Sequence, residues 1–441
     1  MGLSLNRRRF AKTAAAAAAF APALHLTAGQ LASNRLRLGL IGCGGRGRQL
    51  LEIMRGYDDV DFAAISDVIE PRMDQAARML AEGPRPQKPE LVVEYERMLE
   101  RKDIDAVVIG TTQHWHGLPM ILAAQAGKHV FVEKPLSHTI VEGRAMIEAV
   151  KKYRILAMMG TQQHGYPHFL KALEIVRSGQ LGKIALVECW NFGGVGRRVG
   201  RNPDGDPPPG YHWDRWLGPA PWVPFNQSRL NNAWWFDYSG GMLTNWAIHY
   251  IDIVLAAMNV DSPLSVTCVG GKLVVDDLAD TPDTIEASWE FPGFLLQYCF
   301  RGFNNFRTVQ SRTNNHGICF HGTKATLVLD RNGYELYADR DATQPVEQED
   351  NSRRYRDGKP GNEVDGPWQR LFVDMVKQGG PSPLDLEHSH RATVCCHLGN
   401  IAYLTKRRIG WDGQNEKIRD DAEASALLAR PRRKGYELPS A

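Results

Sequence analysis

From Arg35 to about Met159, short apolar runs alternate with stretches that carry apolar residues at helical spacing. RLRLGLIG, VDFAAISD, DAVVIGTT, HVFVEKP and ILAMMG predict five strands, and HGLPMILAAQAG and EGRAMIEAVKKY predict amphipathic helices between them. Strands joined by helical crossovers pair in parallel, so this half predicts a doubly wound parallel sheet. The pattern then changes. Residues 192 to 239 are rich in Gly, Pro, Asn and aromatics, too aromatic for solvated coil, and predict a long ordered loop. Beyond GGMLTNWAIHYID, which predicts a helix opened by two glycines, the runs SVTCVGGKLVV, DTIEASWEF, FLLQYCFRGF, GICFHG, KATLVLD and YELYAD follow. They alternate with period two and predict an antiparallel sheet. SHRATVCCHLGNIAYLTKR closes the chain as a helix ahead of a short polar tail. The expected division is a parallel-sheet domain over 34–159 and an α+β domain over 160–441, with the terminal helix able to pack back on the first.

At 441 residues the chain is long for a single core. Its 43% apolar and 23% charged content is that of an ordinary globular protein, and a net charge of +3 argues against nucleic acid as partner. Residues 1–33 stand apart from the fold. NRRRFAK precedes TAAAAAAFAPALHLTAG, a basic head before an alanine-rich run too short to span a membrane. Paired Arg7 and Arg8 make it a twin-arginine signal, which predicts a periplasmic or otherwise exported protein that folds before export. The seven cysteines are odd in number and show no CxxC spacing, so no disulfide framework is expected despite an oxidising destination.

Gly42, Gly44 and Gly47 stand in GxGxxG spacing between a predicted strand and a predicted helix. Gly42 permits the turn, Gly44 lets backbone approach a pyrophosphate, and Gly47 lets helix and strand pack closely. The helix N-terminus offers free N–H groups to phosphate oxygens. Asp67 ends the second strand, where a carboxylate accepts ribose hydroxyls and repels a 2′-phosphate, which favours NAD over NADP. Arg46 or Arg72 could soften that preference. Glu133, Lys134 and Pro135 end the fourth strand, at the edge where doubly wound sheets bind ligands. A lysine partly desolvated there should have a lowered pKa, suited to exchanging a proton with a carbinol oxygen while hydride moves. Asn245 and His249 lie four apart, on one face of a helix. His114 and His116 lack a matching carboxylate spacing, so no metal site is expected.

Together GLIGCGGRG, the strand-end Asp67, DAVVIGTTQHWH, the EKP tripeptide, RSGQLGKI and GG…H..D resemble the Gfo/Idh/MocA oxidoreductase family along the whole folded chain. The resemblance implies a Rossmann domain followed by an α+β domain with a large open, mainly antiparallel sheet, whose face commonly mediates homo-oligomer contacts. On the cofactor side it implies Gly42, Gly44, Gly45, Arg46, Gly47 and Asp67, then Thr111, His114, His116, Glu133, Lys134 and Gln162. On the substrate side it implies Gln163, Tyr166, Trp235, Asn245 and His249, with Lys134, Asn245 and His249 catalytic. The family pattern has Asp where this chain has Asn245, which can orient an imidazole but cannot charge it. His249 is then expected to position substrate more than to act as base, leaving Lys134 as the acid/base.

Seven of the eleven tryptophans fall between Trp190 and Trp246. They suit either stacking on a sugar ring or packing a long loop. An exported NAD enzyme has no external pool of cofactor, so it must hold its cofactor and restore it in each cycle. Oxidation of a sugar, polyol or glycoside hydroxyl coupled to reduction of a second carbonyl satisfies this. So does an NAD-dependent glycoside hydrolase working by transient oxidation, elimination, addition of water and re-reduction. A cofactor-binding protein without turnover is the third reading.

Overall fold

The computed structural model describes residues 35–193, 199–306, 315–338, 344–351, 366–380 and 382–439. The stretch expected to be a twin-arginine signal lies outside the described residues. The first half forms a six-stranded parallel sheet of β1 (Leu36–Ile41), β2 (Val60–Ser66), β3 (Glu90–Val92), β4 (Ala106–Ile109), β5 (His129–Val132) and β6 (Ala157–Met159). Its spatial order is β3-β2-β1-β4-β5-β6, with every pairing parallel. The central strands are continuous apolar runs because both faces are covered: all four residues of β4 are buried. The order reverses between β1 and β4, which opens a crevice at the carboxyl ends of those strands. The short edge strand β3 is an addition to the five expected.

The second sheet has ten strands: β7 (Ile184–Phe192), β8 (Ser265–Gly271), β9 (Thr284–Phe291), β10 (Phe294–Arg301), β11 (His316–Gly322), β12 (Ala325–Asp330), β13 (Gly333–Ala338), β14 (Glu347–Asp350), β15 (Ile409–Asp412) and β16 (Lys417–Ile418). They lie in the order β14-β13-β12-β11-β7-β10-β9-β8-β15-β16. Only β7 and β10 run parallel; the other neighbours are antiparallel. In β9 and β10 buried residues alternate with more exposed ones, as a sheet covered on one face requires. Pro292 and Gly293 (φ +93°) supply the turn between them.

Helices hold the two sheets together. Trp289 of β9 donates its indole N–H to the carbonyl of Cys395 in the helix Leu386–Thr405. That same helix reaches the loop after β5, where Thr393 Oγ1 accepts the Leu136 amide at 3.1 Å and His397 Nε2 donates to the Ser137 carbonyl at 3.0 Å. A second helix, Gly366–Gln378, lies on the first sheet, with Phe372 against Phe131 (5.5 Å between centroids) and Arg370 paired to Asp59. The segment carrying Lys134 is therefore braced from both sides. The aromatic loop is ordered where it is described: Trp213 and Trp216 stack at 4.6 Å, and Trp234 and Trp235 are buried. All seven cysteines are unpaired. No helix among the described residues is long and apolar enough to cross a membrane.

Candidate active site

A cavity of about 350 Å³ opens at the strand-order reversal and runs from the glycine-rich turn to Lys134 and Asn245. At one end the helix Gly45–Met54 begins, with Gly44 as its N-cap. The three glycines occupy different surroundings. Gly42 has φ +92°, and a Cβ there would meet the Thr111 amide at 2.7 Å. A Cβ on Gly47 would run into the carbonyl of Gly42, so this glycine packs helix against strand and does not line the cavity. Gly44 and Gly45 face open space, apart from Arg72 Nη1 at 4.0 Å from a Cβ on Gly44.

Asp67 follows β2 and lines the cavity. Its two carboxylate oxygens accept the amides of Cys43 (2.6 Å) and Ile69 (2.8 Å), which fixes the side chain and leaves lone pairs for a ligand. Burial pushes its pKa up, opposed by Arg72 and the two amides. Thr111 also lines the cavity, and its buried hydroxyl oxygen has no partner. These features fit a dinucleotide: free amides and bare glycines for phosphates, a fixed carboxylate for a ribose, and an orphaned hydroxyl in the wall.

Lys134 lies at the far end. Glu133 is clamped to Arg46 at 2.7 Å, and Lys134 Nζ donates to the Asn245 carbonyl at 2.8 Å and to Asn245 Oδ1 at 3.0 Å. Burial lowers the Lys134 pKa to about 8, with Arg46 and Arg331 adding to the fall and Glu133 opposing it. The cause is desolvation within the protein itself, before any cofactor charge is considered. Asn245 reaches the lysine from a π-helical turn, Leu243–Ala247, set between Gly241 (φ +60°) and the helix Ile248–Met258. Such turns shift backbone carbonyls out of the regular ladder, and here the Asn245 carbonyl meets an ammonium.

This geometry corrects the expected Asn245–His249 pair. The oxygen of Asn245 is committed to Lys134, and His249 Nδ1 is buried without a partner. Burial, with Lys134 and Arg331 nearby, holds His249 far below the usual histidine range, so its ring is neutral. His249 packs edge-on to Trp246 and is not part of the wall shared with Lys134 and Asn245.

Other expected residues divide. His116 lines the cavity, but its Nδ1 donates to the Pro135 carbonyl at 2.7 Å, tying the β4 and β5 loops together. His114 points elsewhere, donating Nε2 to the Trp216 carbonyl among Trp115, Trp216 and Tyr238. The two rings therefore share no ligand. Gln162, Gln163 and Tyr166 lie outside the cavity wall; Tyr166 packs on His168 and Phe169, and Gln163 has both amide atoms buried and unpartnered. Trp235 is a loop-packing residue, with its indole on the Ser228 carbonyl and Arg229 over its ring. From the aromatic loop Trp216 enters the wall, with Asn232 and Arg215, and Tyr95 and Trp115 of the first domain line it as well.

The sequence gives no sign of one further cluster. Asp252 accepts from His164 Nε2 (2.5 Å) and His388 Nε2 (3.1 Å), joining three segments far apart in the chain. Three such groups could hold a metal ion, and as they stand they form a closed hydrogen-bonded clamp. Burial opposes ionisation of Asp252, yet the two histidines hold it well below the usual carboxylate range. Burial likewise opposes charge on His388, and Asp252 raises its pKa in spite of that.

Comparison with known proteins agrees with the fold. Two Gfo/Idh/MocA family models match: the oxidoreductase family NAD-binding Rossmann fold over residues 36–161, and the oxidoreductase family C-terminal alpha/beta domain over 179–287. An alpha-N-acetylgalactosaminidase of Shewanella oneidensis is 32% identical over 34% of this chain and 33% of its own length. A myo-inositol 2-dehydrogenase of Thermotoga maritima is 32% identical over 34% of this chain and 42% of its own. The alignments thus span a third to two fifths of these curated relatives. A levoglucosan dehydrogenase solved with NADH and levoglucosan superposes with a TM-score of 0.63 at 19% identity, covering 85% of this chain and 99% of that one.

Proposed function

The chain belongs to the Gfo/Idh/MocA oxidoreductase family, and from that premise we propose an NAD-dependent oxidoreductase that oxidises a hydroxyl of a sugar, polyol or glycoside. The observation that carries the reading is the placing of Lys134 Nζ at the end of this cavity, held by both oxygens of Asn245, where burial lowers its pKa to about 8. Bound NAD supplies the hydride acceptor. Gly44, Gly45 and the helix N-terminus would hold its phosphates, and Asp67 would hold a ribose, with Arg72 in the same wall to temper discrimination against a 2′-phosphate. Asn245 fixes Nζ of Lys134 through two oxygens, so the lone pair of the neutral amine is presented at one place. A carbinol there gives its hydroxyl proton to Nζ as its C–H is oxidised, and the ketone takes the proton back on reduction. Neither Asn245 oxygen can be protonated, so the proton stays on the lysine.

His249 favours a second reading, a redox-neutral glycoside hydrolase. In that reading His249, with its unpartnered Nδ1, would take the proton next to a transient ketone as the aglycone leaves, acting as a weak base because burial depresses its pKa. The matched galactosaminidase is consistent with it. The twin-arginine signal supports export after folding through the twin-arginine machinery, with cofactor retained and restored within each cycle. Homo-oligomer assembly is proposed for the open face of the ten-stranded sheet, where Val269 and Leu295 are exposed.

Denaturing the purified protein and measuring released nucleotide tests the cofactor claim: near one NAD per chain is expected, and none would refute it. Incubating the holoprotein with sugar pairs and with aryl glycosides then separates the readings. Paired oxidised and reduced sugars support the oxidoreductase. Release of aglycone without added NAD supports the hydrolase, and neither product leaves a binding protein without turnover.

A further inference from the structure

Within electrostatic reach of Lys134, and behind the cavity wall that Lys134 shares with Asn245, the protein carries a cation that hydride transfer does not use. Arg331 occupies the two-residue loop between β12 and β13, across which Asp330 and Gly333 pair. Its guanidinium carbon lies 4.8 Å from the centroid of Trp246. The same indole contacts His249 at 6.0 Å and His316 at 5.2 Å between centroids, so three groups gather around one ring. Burial is the main reason that Lys134, His249 and His316 are held toward their neutral forms, and the charge of Arg331 adds to it at all three.

Among the described residues Arg331 has no carboxylate and no hydrogen-bond acceptor, and its Nε is buried. Four other half-buried arginines are paired, Arg46 with Glu133, Arg144 with Glu387, Arg370 with Asp59 and Arg432 with Glu142, whereas Arg72 and Arg430 share with Arg331 the lack of an ion pair among the described residues. A cation taken partly out of water without a counter-charge is costly, and a neighbouring ammonium makes it more so. Nδ1 of His249 and Nδ1 of His316 are buried without partners as well. The cation and the two orphaned ring nitrogens surround Trp246, next to the reactive lysine.

We propose that Arg331, displayed on Trp246, recognises a carboxylate on the substrate, which makes that substrate an acidic sugar: a uronic acid or its glycoside. The inference rests on the oxidoreductase reading for its placing of the substrate, and goes beyond it in naming the substrate class. A guanidinium offers two parallel N–H donors that match the two oxygens of a carboxylate, and ion pairing would supply the missing counter-charge. The neutral rings of His249 and His316 can then meet hydroxyls through their free nitrogens. A neutral sugar would leave Arg331 unpaired and would gain nothing from it.

The test is calorimetric titration of the nucleotide-loaded protein with glucuronic, galacturonic and mannuronic acids, the three parent hexoses, and glucose 6-phosphate. At least one uronate should bind roughly tenfold or more tightly than its parent hexose. Arg331→Gln should reduce that preference roughly 10- to 100-fold, and Arg331→Lys should restore part of it by returning charge without the fork. An unchanged melting temperature and nucleotide content would show that the variants are folded. Equal binding of uronates and hexoses, no binding of any uronate, an unchanged preference in Arg331→Gln, or tighter binding of glucose 6-phosphate would each overturn the proposal. Uronate binding that depends on Arg331, without reduction of the nucleotide, would uphold the carboxylate site and refute the oxidoreductase.

Discussion

Asn245→Asp perturbs the proposed proton acceptor by one charge and almost no volume. Lys134 Nζ lies 3.0 Å from Asn245 Oδ1, so the new carboxylate would face the amine at that distance. Coulomb's law gives about 5 kcal/mol at an effective dielectric of 20 and about 1.4 kcal/mol in bulk water. With about 1.4 kcal/mol per pH unit, the lysine pKa should rise by roughly one to four units. The carboxylate's own desolvation works against this, so about one to two units is expected. The sign follows directly: the added negative charge stabilises the ammonium, and the neutral amine that accepts a proton appears only at higher pH. In the wild type, single-turnover reduction of bound nucleotide should rise with pH through about 8. In the variant the midpoint should move to about 9 or higher. Stopped-flow absorbance of the reduced nicotinamide across a pH series reads both midpoints. A variant profile unchanged, or displaced to lower pH, would refute the claim that Lys134 carries the proton under the control of Asn245.

Gly47→Ala and Gly44→Ala should fail in different ways. The first drives a Cβ into the Gly42 carbonyl and should cost about 1–3 kcal/mol or more in denaturant unfolding, while the second meets open space and should leave the melt nearly unchanged but lose nucleotide. Asp252→Asn breaks the buried clamp with His164 and His388 and should cost roughly 3 kcal/mol. Because the folded pKa of His388 is raised, its contribution is complete below its unfolded pKa of about 6.5 and fades as pH rises through the folded value. The wild type should therefore lose stability across that window more steeply than Asp252→Asn, and equal slopes would refute the pairing. Denatured, unreduced protein should titrate seven free thiols, and fewer than about five would contradict the unpaired cysteines.

The parts legible in sequence are those whose pattern is set locally. The first sheet announces itself because strands such as AVVI are buried on both faces, and the glycine turn because backbone geometry there admits little else. β7 was hidden: IALVECWNF puts Glu188 and Asn191 in a run that breaks strict alternation, although it is the strand joining both halves of the second sheet. β14 and β16 are short and polar, and pairing alone makes them strands. Lys134 was legible from its place at a strand end, whereas its bond to Asn245 depends on a π-helical turn that spacing by fours does not reveal. Arg331–Asn332–Gly333 reads as a hairpin turn and nothing more, since the contact with Trp246 spans 85 positions. His164, Asp252 and His388 meet only through tertiary packing. What stays local in the chain can be read from it; what is assembled across the two sheets cannot.

The proposed chemistry depends on Lys134 as the group that exchanges the substrate proton. The deciding measurement is single-turnover reduction of bound nucleotide in Lys134→Ala beside the wild type, using a sugar that the wild type oxidises and with nucleotide content confirmed equal. Loss of a general acid–base group predicts a fall of about 10²–10⁴-fold in rate with the cofactor still in place. A near-wild-type rate in the folded, nucleotide-loaded variant would contradict the central claim.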